Sequence, residues 1–240
     1  MLESPTPTGA SAAAENPASA STPAGPPPGL RERKKQQTRL RIIEVGLNLC
    51  DTQGFDATTV EQIANAADIS PRTINRYFDS KEDIVLGPIR DFSIAVAEAL
   101  RSLPPTGNEL ASLREAFLRV IDKAAVTPAE APVSFQQFQQ MQRILRSSQA
   151  VSARSLEHAD RQNTAIAEVL AERLGTEPDA LPVRLILGVW QLIGHLGMER
   201  SDALFDEDLT AAAAAGRQTF VSTFDEFMRV CCVGPTTENG

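Results

Sequence analysis

Histidine occurs twice in the 240 residues, cysteine three times, and tryptophan and tyrosine once each. Two histidines far apart, with no Cys-x-x-Cys spacing, leave a metal centre without ligands, so no metal is expected. An odd cysteine count, with Cys231 and Cys232 adjacent, builds no disulfide framework and suits a reducing compartment; Cys231 and Cys232 are expected to be buried or incidental packing. Aromatic residues make up 5%, which argues against a β-rich or aromatic-caged architecture. Neither a Gly-x-Ser-x-Gly elbow nor a convergent set of titratable residues is present, so no enzyme and no cofactor are expected. The longest apolar run, Val183 to Met198, includes Gly188, Gln191, Gly194, His195 and Gly197. It is shorter than the ~20 residues of a spanning helix. No basic stretch followed by an apolar core opens the chain as in a signal peptide. The expectation is a soluble, cytoplasmic protein with no membrane partner.

What is present divides the chain unevenly. Hydrophobic residues at 42% and charged residues at 22% are ordinary globular usage. Residues 1–30 hold seven of the sixteen prolines with Ala, Ser, Thr and Gly, two acids and no base. Such a tail buries too little apolar surface to offset its ordering entropy, and disorder is expected there, as it is over 234–240. Arg31, Arg33, Lys34, Lys35, Arg39 and Arg41 then crowd eleven residues against Glu32 alone. The formal charge is −8 overall, +2 over 31–81 and −8 over 82–240. Positive charge is concentrated at the front of the folded region, where it can meet phosphates.

From residue 33 onward the periodic segments read as helix, and the expectation is an all-α fold of about nine helices. Leu40, Ile43, Leu47 and Cys50 form a first stripe, ending at Gly54 as a C-cap. Thr58 and Glu61 have capping-box spacing and open a second helix over Val60, Ile63 and Ala64. Ser70-Pro71 opens a third, expected to run through Phe78, and Ser80 caps a fourth through Phe92, Val96 and Leu100 with a kink at Gly87-Pro88. Later stripes are Phe135, Phe138, Met141 and Leu145; Leu156, Ala159, Ile166, Leu170 and Leu174; and Phe220, Phe224, Phe227 and Cys231. Val183–Met198, apolar nearly all round, reads as buried.

Two short helices with a tight turn make a helix-turn-helix candidate. The third helix exposes Arg72, Thr73, Asn75 and Arg76, residue types that read base edges, while Ile74 and Phe78 anchor its opposite face to Val60 and Ile63. The stretch Thr59-Val60-Glu61-Gln62-Ile63-Ala64, followed by Arg76-Tyr77-Phe78-Asp79-Ser80-Lys81-Glu82, resembles the DNA-binding domain of the TetR/AcrR-type bacterial regulators. It covers about fifty residues. The resemblance implies a homodimeric repressor on a palindromic double-stranded operator, with a C-terminal domain sensing a small molecule. It also implies phosphate contacts by Tyr77 and Lys81 and a positioning role for Thr59. Arg33, Lys34, Lys35, Arg39 and Thr59 are the further phosphate candidates. Asp68 stands where the family carries glycine, and Asn75 where an aromatic residue or His is common.

The domain limits expected are 31–82 for DNA binding and 83–233 for effector binding and dimerisation. Residues 135–200 look similar to the mycofactocin-regulator subgroup on Arg143-Ile144-Leu145, the long helix after it and the Gly175 break. That likeness implies an acyl-CoA or other hydrophobic effector. Phe138, Met141, Ile166, Trp190, Gln191 and His195 are the candidate pocket residues, with a hydrogen-bonded core position the other reading of His195. Gln136, Gln137, Gln139, Gln140 and Gln142 read as an exposed helix face, and His158 as a surface residue. Val189, Ile193, Phe220, Phe224 and Phe227 are the candidate dimer interface. An activator or dual regulator stays open, as does a helical small-molecule-binding protein without DNA function, which would leave Arg72, Asn75 and Arg76 unexplained.

Overall fold

The computed structural model describes residues 29–127, 131, 134–157, 159–199 and 208–231. The readings of residues 1–28 and 234–240, and of His158 and Cys232, lie outside the described residues. Among the described residues the chain is all-α, but with twelve helices where about nine were expected. The additional ones come from breaks inside segments read as continuous.

α1 (Leu30–Gln53) ends where Gly54 takes φ 90° and donates to the Cys50 carbonyl. α2 (Val60–Ala66) is capped one residue later than expected. Thr59, not Thr58, accepts from the Gln62 amide, and Gln62 Oε1 accepts from the Thr59 amide at 2.8 Å. Thr58 is instead buried and donates its hydroxyl to the Gly54 carbonyl at 2.8 Å. α3 (Pro71–Ile74) is capped by Ser70 and stops at Ile74, short of Phe78; the amides of Tyr77 and Phe78 still turn back to the Ile74 carbonyl.

The expected kinked fourth helix is two helices, α4 (Lys81–Val85) and α5 (Gly87–Arg101). Pro88 stands in the first turn of α5, where its missing N–H has no helical partner to lose. Gly87 is required by packing: an added Cβ would lie 2.6 Å from Ile43 Cδ1 and 2.8 Å from Cγ1. Then come α6 (Glu109–Val126), α7 (Phe135–Ser147), α8 (Gln149–Glu157), α9 (Ala159–Gln162) and α10 (Thr164–Leu174). The stripe from Leu156 to Leu174 is thus divided over three helices. The chain closes with α11 (Leu181–Glu199) and α12 (Leu209–Cys231).

Two apolar clusters organise these helices. The first joins Ile42, Ile43 and Leu47 of α1, Ile63 of α2, Ile74, Phe78 and Ile84, and is completed by Met141 and Ile144 of α7 and Val151 of α8. The core around the first four helices therefore draws on residues far beyond 82. The second gathers Val96 and Leu100, Leu113 and Ala116, Ile166 and Leu170, Leu187, Trp190 and Ile193, and Phe220 and Phe224. At its centre the Phe117 and Phe220 rings stack at 3.9 Å, with Trp190 edge-on to both at 5.5 and 5.2 Å. Arg173 closes one end, binding Glu109 at 2.5 Å and the carbonyls of Leu100, Leu103 and Pro104. Those carbonyls stand at and beyond the end of α5, where backbone acceptors lack helical partners.

α11 is not buried all round. It is long and apolar enough over Leu181–Met198 to cross a membrane by length and composition alone. Val183, Leu187, Trp190 and Ile193 enter the second cluster, whereas Leu185, Leu192 and Leu196 are exposed at 60%, 49% and 39%.

Candidate nucleic-acid interface

The turn between α2 and α3 is a Schellman motif built without glycine. The Ile69 amide bonds the Ala64 carbonyl and the Asp68 amide bonds that of Asn65, with Asp68 at φ 58°. An L-residue in this left-handed region costs about 1–2 kcal/mol, and Asp is among the few types that visit it routinely. The turn survives the missing glycine, and α3 is set across α2.

Ile74 and Phe78 are buried in the first cluster with Ile63, so the outer face of α3 is fixed by its inner one. Arg72, Asn75 and Arg76 are exposed; Thr73 is half-buried, its hydroxyl 2.9 Å from that of Ser70. The Arg76 guanidinium lies over the Tyr77 ring, 5.1 Å from its centroid. The group therefore presents two exposed polar side chains, Arg72 and Asn75, and one arginine held against a neighbouring ring.

The basic candidates separate into two kinds. Arg33, Lys34 and Lys35 are exposed on the first turns of α1, with Lys35 3.7 Å from Glu32. Arg39 corrects the expectation of a phosphate contact. Its Nη1 donates to both oxygens of Asp91 at 2.6 and 2.7 Å, and its guanidinium lies over the Phe78 ring. Lys81 is also turned inward. Its ammonium donates to the carbonyls of Phe55 and Thr58 at 2.5 and 2.6 Å and sits 4.0 Å above the Phe55 ring, leaving one N–H for any outside acceptor. Tyr77 is half-buried beside α3, and Thr59 is exposed at the start of α2.

The six pocket candidates are not brought together. Met141 is buried in the first cluster with Phe138 packed on it, while Ile166 and Trp190 are buried in the second. Gln191 is half-buried with Nε2 unpartnered, and His195 is exposed rather than in the core. The dimer candidates also need correction. Ile193, Phe220 and Phe224 are buried within their own protomer, and Val189 and Phe227 pack half-buried against the same cluster. Gln139 and Gln140 are buried, not surface, and Gln140 Nε2 donates to Asn48 Oδ1 at 2.6 Å. Arg143 of the Arg143-Ile144-Leu145 motif forms a two-point pair with Asp51 of α1 at 2.8 and 2.6 Å, which raises the guanidinium's already high pKa. The motif thus joins α7 to α1, and the long helix expected after it is broken into three. Of the features behind the mycofactocin-regulator likeness, the first thus serves packing between α7 and α1 and the second is absent, so the subgroup gains no support.

Residues 42–87 match the model of the "Bacterial regulatory proteins, tetR family". The chain is 33% identical over 206 residues to the HTH-type transcriptional regulator TcmR of Streptomyces glaucescens, covering 85% of this chain and 90% of that one. It belongs to the TetR family. It is also 30% identical over 93 residues to the HTH-type transcriptional repressor KstR2 of Rhodococcus jostii, covering 39% of this chain and 46% of that protein. A crystal structure of Thermus thermophilus FadR, a TetR-family transcriptional repressor in complex with lauroyl-CoA, aligns with a TM-score of 0.45 at 20% identity, over 84% of this chain and 99% of that one. This TetR-family chain is accordingly a DNA-binding transcriptional regulator, not an enzyme.

Proposed function

We propose that the protein is a homodimeric repressor that holds a palindromic operator through two copies of α2–α3 and releases it when a small-molecule effector binds. The observation that carries the DNA half is the outward group Arg72, Asn75 and Arg76, backed by the buried Ile74 and Phe78 and flanked by the basic start of α1. Arg pairs bidentately with guanine and Asn with adenine, so α3 reads bases in the major groove. Arg33, Lys34 and Lys35 neutralise backbone phosphates. Tyr77 and the remaining donor of Lys81 add contacts beside α3.

The dimer is supported by the exposed leucines of α11. Leu185, Leu192 and Leu196 follow one another at helical spacing on a face that its own core leaves open. Two such helices packed about a two-fold axis, with α12 alongside, bury that face and set the separation of the two reading helices. A palindromic operator with half-sites one helical turn, about 34–36 Å, apart is the matching DNA geometry.

A gel shift of the protein with the DNA upstream of its own gene tests this reading. A retarded band competed by the same palindrome and not by scrambled DNA is expected. Equal competition by scrambled DNA overturns sequence-specific binding, and activation rather than repression of a reporter under that operator overturns the repressor half.

A further inference from the structure

A cleft of about 310 Å³ opens where α1, the segment after α3, the α4–α5 junction and α9 meet. It lies outside the aromatic cluster, and no site candidate read from sequence for an effector lines it. Phe78, Leu86 and Gly87 form apolar wall, and Tyr77 closes the side next to α3. Three arginines and two aspartates also line it, and they are not equivalent. Arg39 is committed to Asp91, and Asp83 to Arg154 of α8 at 3.3 Å. Arg90 of α5 and Arg161 of α9 are both exposed, and neither pairs with a carboxylate among the described residues. Of the acids that line the cleft among the described residues, Asp79 is the one without such a partner.

We propose that this cleft binds a small organic anion, a carboxylate or phosphate ester carrying an apolar group. Guanidinium groups match carboxylate and phosphate oxygens in planar, two-point geometry, and here two come from different helices facing one space. The volume is at the small end of the roughly 300–1,000 Å³ of ligand pockets, which suits a single ring with one charged group. Phe78 and Leu86 receive the ring; Arg90 and Arg161 receive the charge. The cleft shares Tyr77 with the DNA-facing surface and spans the break between α4 and α5. An occupied cleft ties α9 to that break and takes Tyr77 from the operator, so the anion weakens DNA binding. This regulatory half rests on the repressor reading above; ligand binding itself does not.

Tyr77 is the only tyrosine in the chain, so replacing tyrosine by 3-fluorotyrosine gives the full-length protein a single ¹⁹F resonance inside the cleft. Phenyl phosphate and benzoate are the probes, and benzyl alcohol is their uncharged counterpart. A saturable shift with at least one anion near about 1 mM is expected, with no matching shift from benzyl alcohol. The double variant Arg90→Gln/Arg161→Gln, with helicity checked by circular dichroism, should bind that anion at least tenfold more weakly. No saturable shift, an equal response to benzyl alcohol, or undiminished affinity in the folded double variant overturns the site. Adding the active probe to the operator complex then tests regulation, with a fall of roughly fivefold or more in DNA affinity expected. A shift at Tyr77 with unchanged operator affinity overturns the regulatory half, whereas absent operator binding without any ligand counts against the repressor reading.

Discussion

Arg39 of α1 donates one Nη1 to both carboxylate oxygens of Asp91 of α5, at 2.6 and 2.7 Å, with each side chain only 12% exposed. The pair bolts the first helix of the DNA-reading unit to the first long helix after it. Removing one partner strands the other's charge in a part-buried site, which costs about 3 kcal/mol, the lower end for fully buried pairs. Asp91→Leu and Arg39→Met should each lower urea-unfolding stability by that order. The double variant Arg39→Met/Asp91→Leu should cost less than the two single losses added. Additive losses in the double-mutant cycle would mean that the two groups do not interact.

The same pairing separates structural from DNA-facing cations. Lys34→Gln and Lys35→Gln should each flatten the salt dependence of operator binding by about one phosphate per protomer. Arg39→Met should leave that slope unchanged in whatever fraction stays folded. Asn75→Ala should instead cost about 1–3 kcal/mol on the native operator and nothing once its partner base pair is changed. Binding isotherms at several salt concentrations, run on native and substituted operators, distinguish the three behaviours.

Local signals were legible in the sequence and long-range ones were not. Ser70-Pro71, Ser80 and Gly54 cap helices where their chemistry predicts, and the polar face of α3 follows from Ile74 and Phe78 pointing the other way. Thr58 and Thr59 are chemically alike. The choice between them fell to Gln62, which reaches the Thr59 amide and also accepts from Gln53 of α1. Whether a basic residue is free depends on partners far away in sequence, as with Arg39 and Asp91 or Arg143 and Asp51. α11 illustrates the same limit. A helix apolar on most of its circumference carries no polar face to fix its rotation, so its inner and outer leucines could not be told apart.

Cys50 should report on opening of the DNA-reading core. Burial pushes its thiol pKa up, against a smaller lowering by the hydrogen bond with Thr58. The folded state thus holds this proton more tightly than the unfolded chain, whose thiol has a pKa of about 8.5. Its contribution to stability is whole below that value and is lost as pH rises toward and through the higher folded value. Cys50→Ala should therefore flatten the alkaline part of the stability–pH curve. With Cys231 and Cys232 replaced by Ser, the remaining thiol should react with a disulfide reagent only as fast as the domain opens. Rapid labelling at neutral pH in the absence of urea would contradict the buried position.

The exposed and buried faces of α11 and α12 predict opposite outcomes for substitutions of similar severity. Leu192 is 49% exposed, so a charge there costs the isolated protomer little. In the proposed dimer the same charge is buried without a partner, which is expensive enough to prevent association. Leu192→Glu should therefore yield a folded, helical monomer by light scattering and circular dichroism. Operator affinity should collapse with it, because a single α3 engages one half-site. Phe224 is 3% exposed, stands in the cluster built around Phe117, Trp190 and Phe220, and has the Arg114 guanidinium 5.4 Å above its ring. Phe224→Glu should unfold the C-terminal domain rather than produce a clean monomer, since truncating a buried Phe alone costs about 3–5 kcal/mol before any charge is buried. Leu185→Glu supplies an independent check one pair of turns away on the same face. If Leu185→Glu and Leu192→Glu both remain dimeric at micromolar concentration, the partner protomer packs elsewhere and the four-helix interface is wrong.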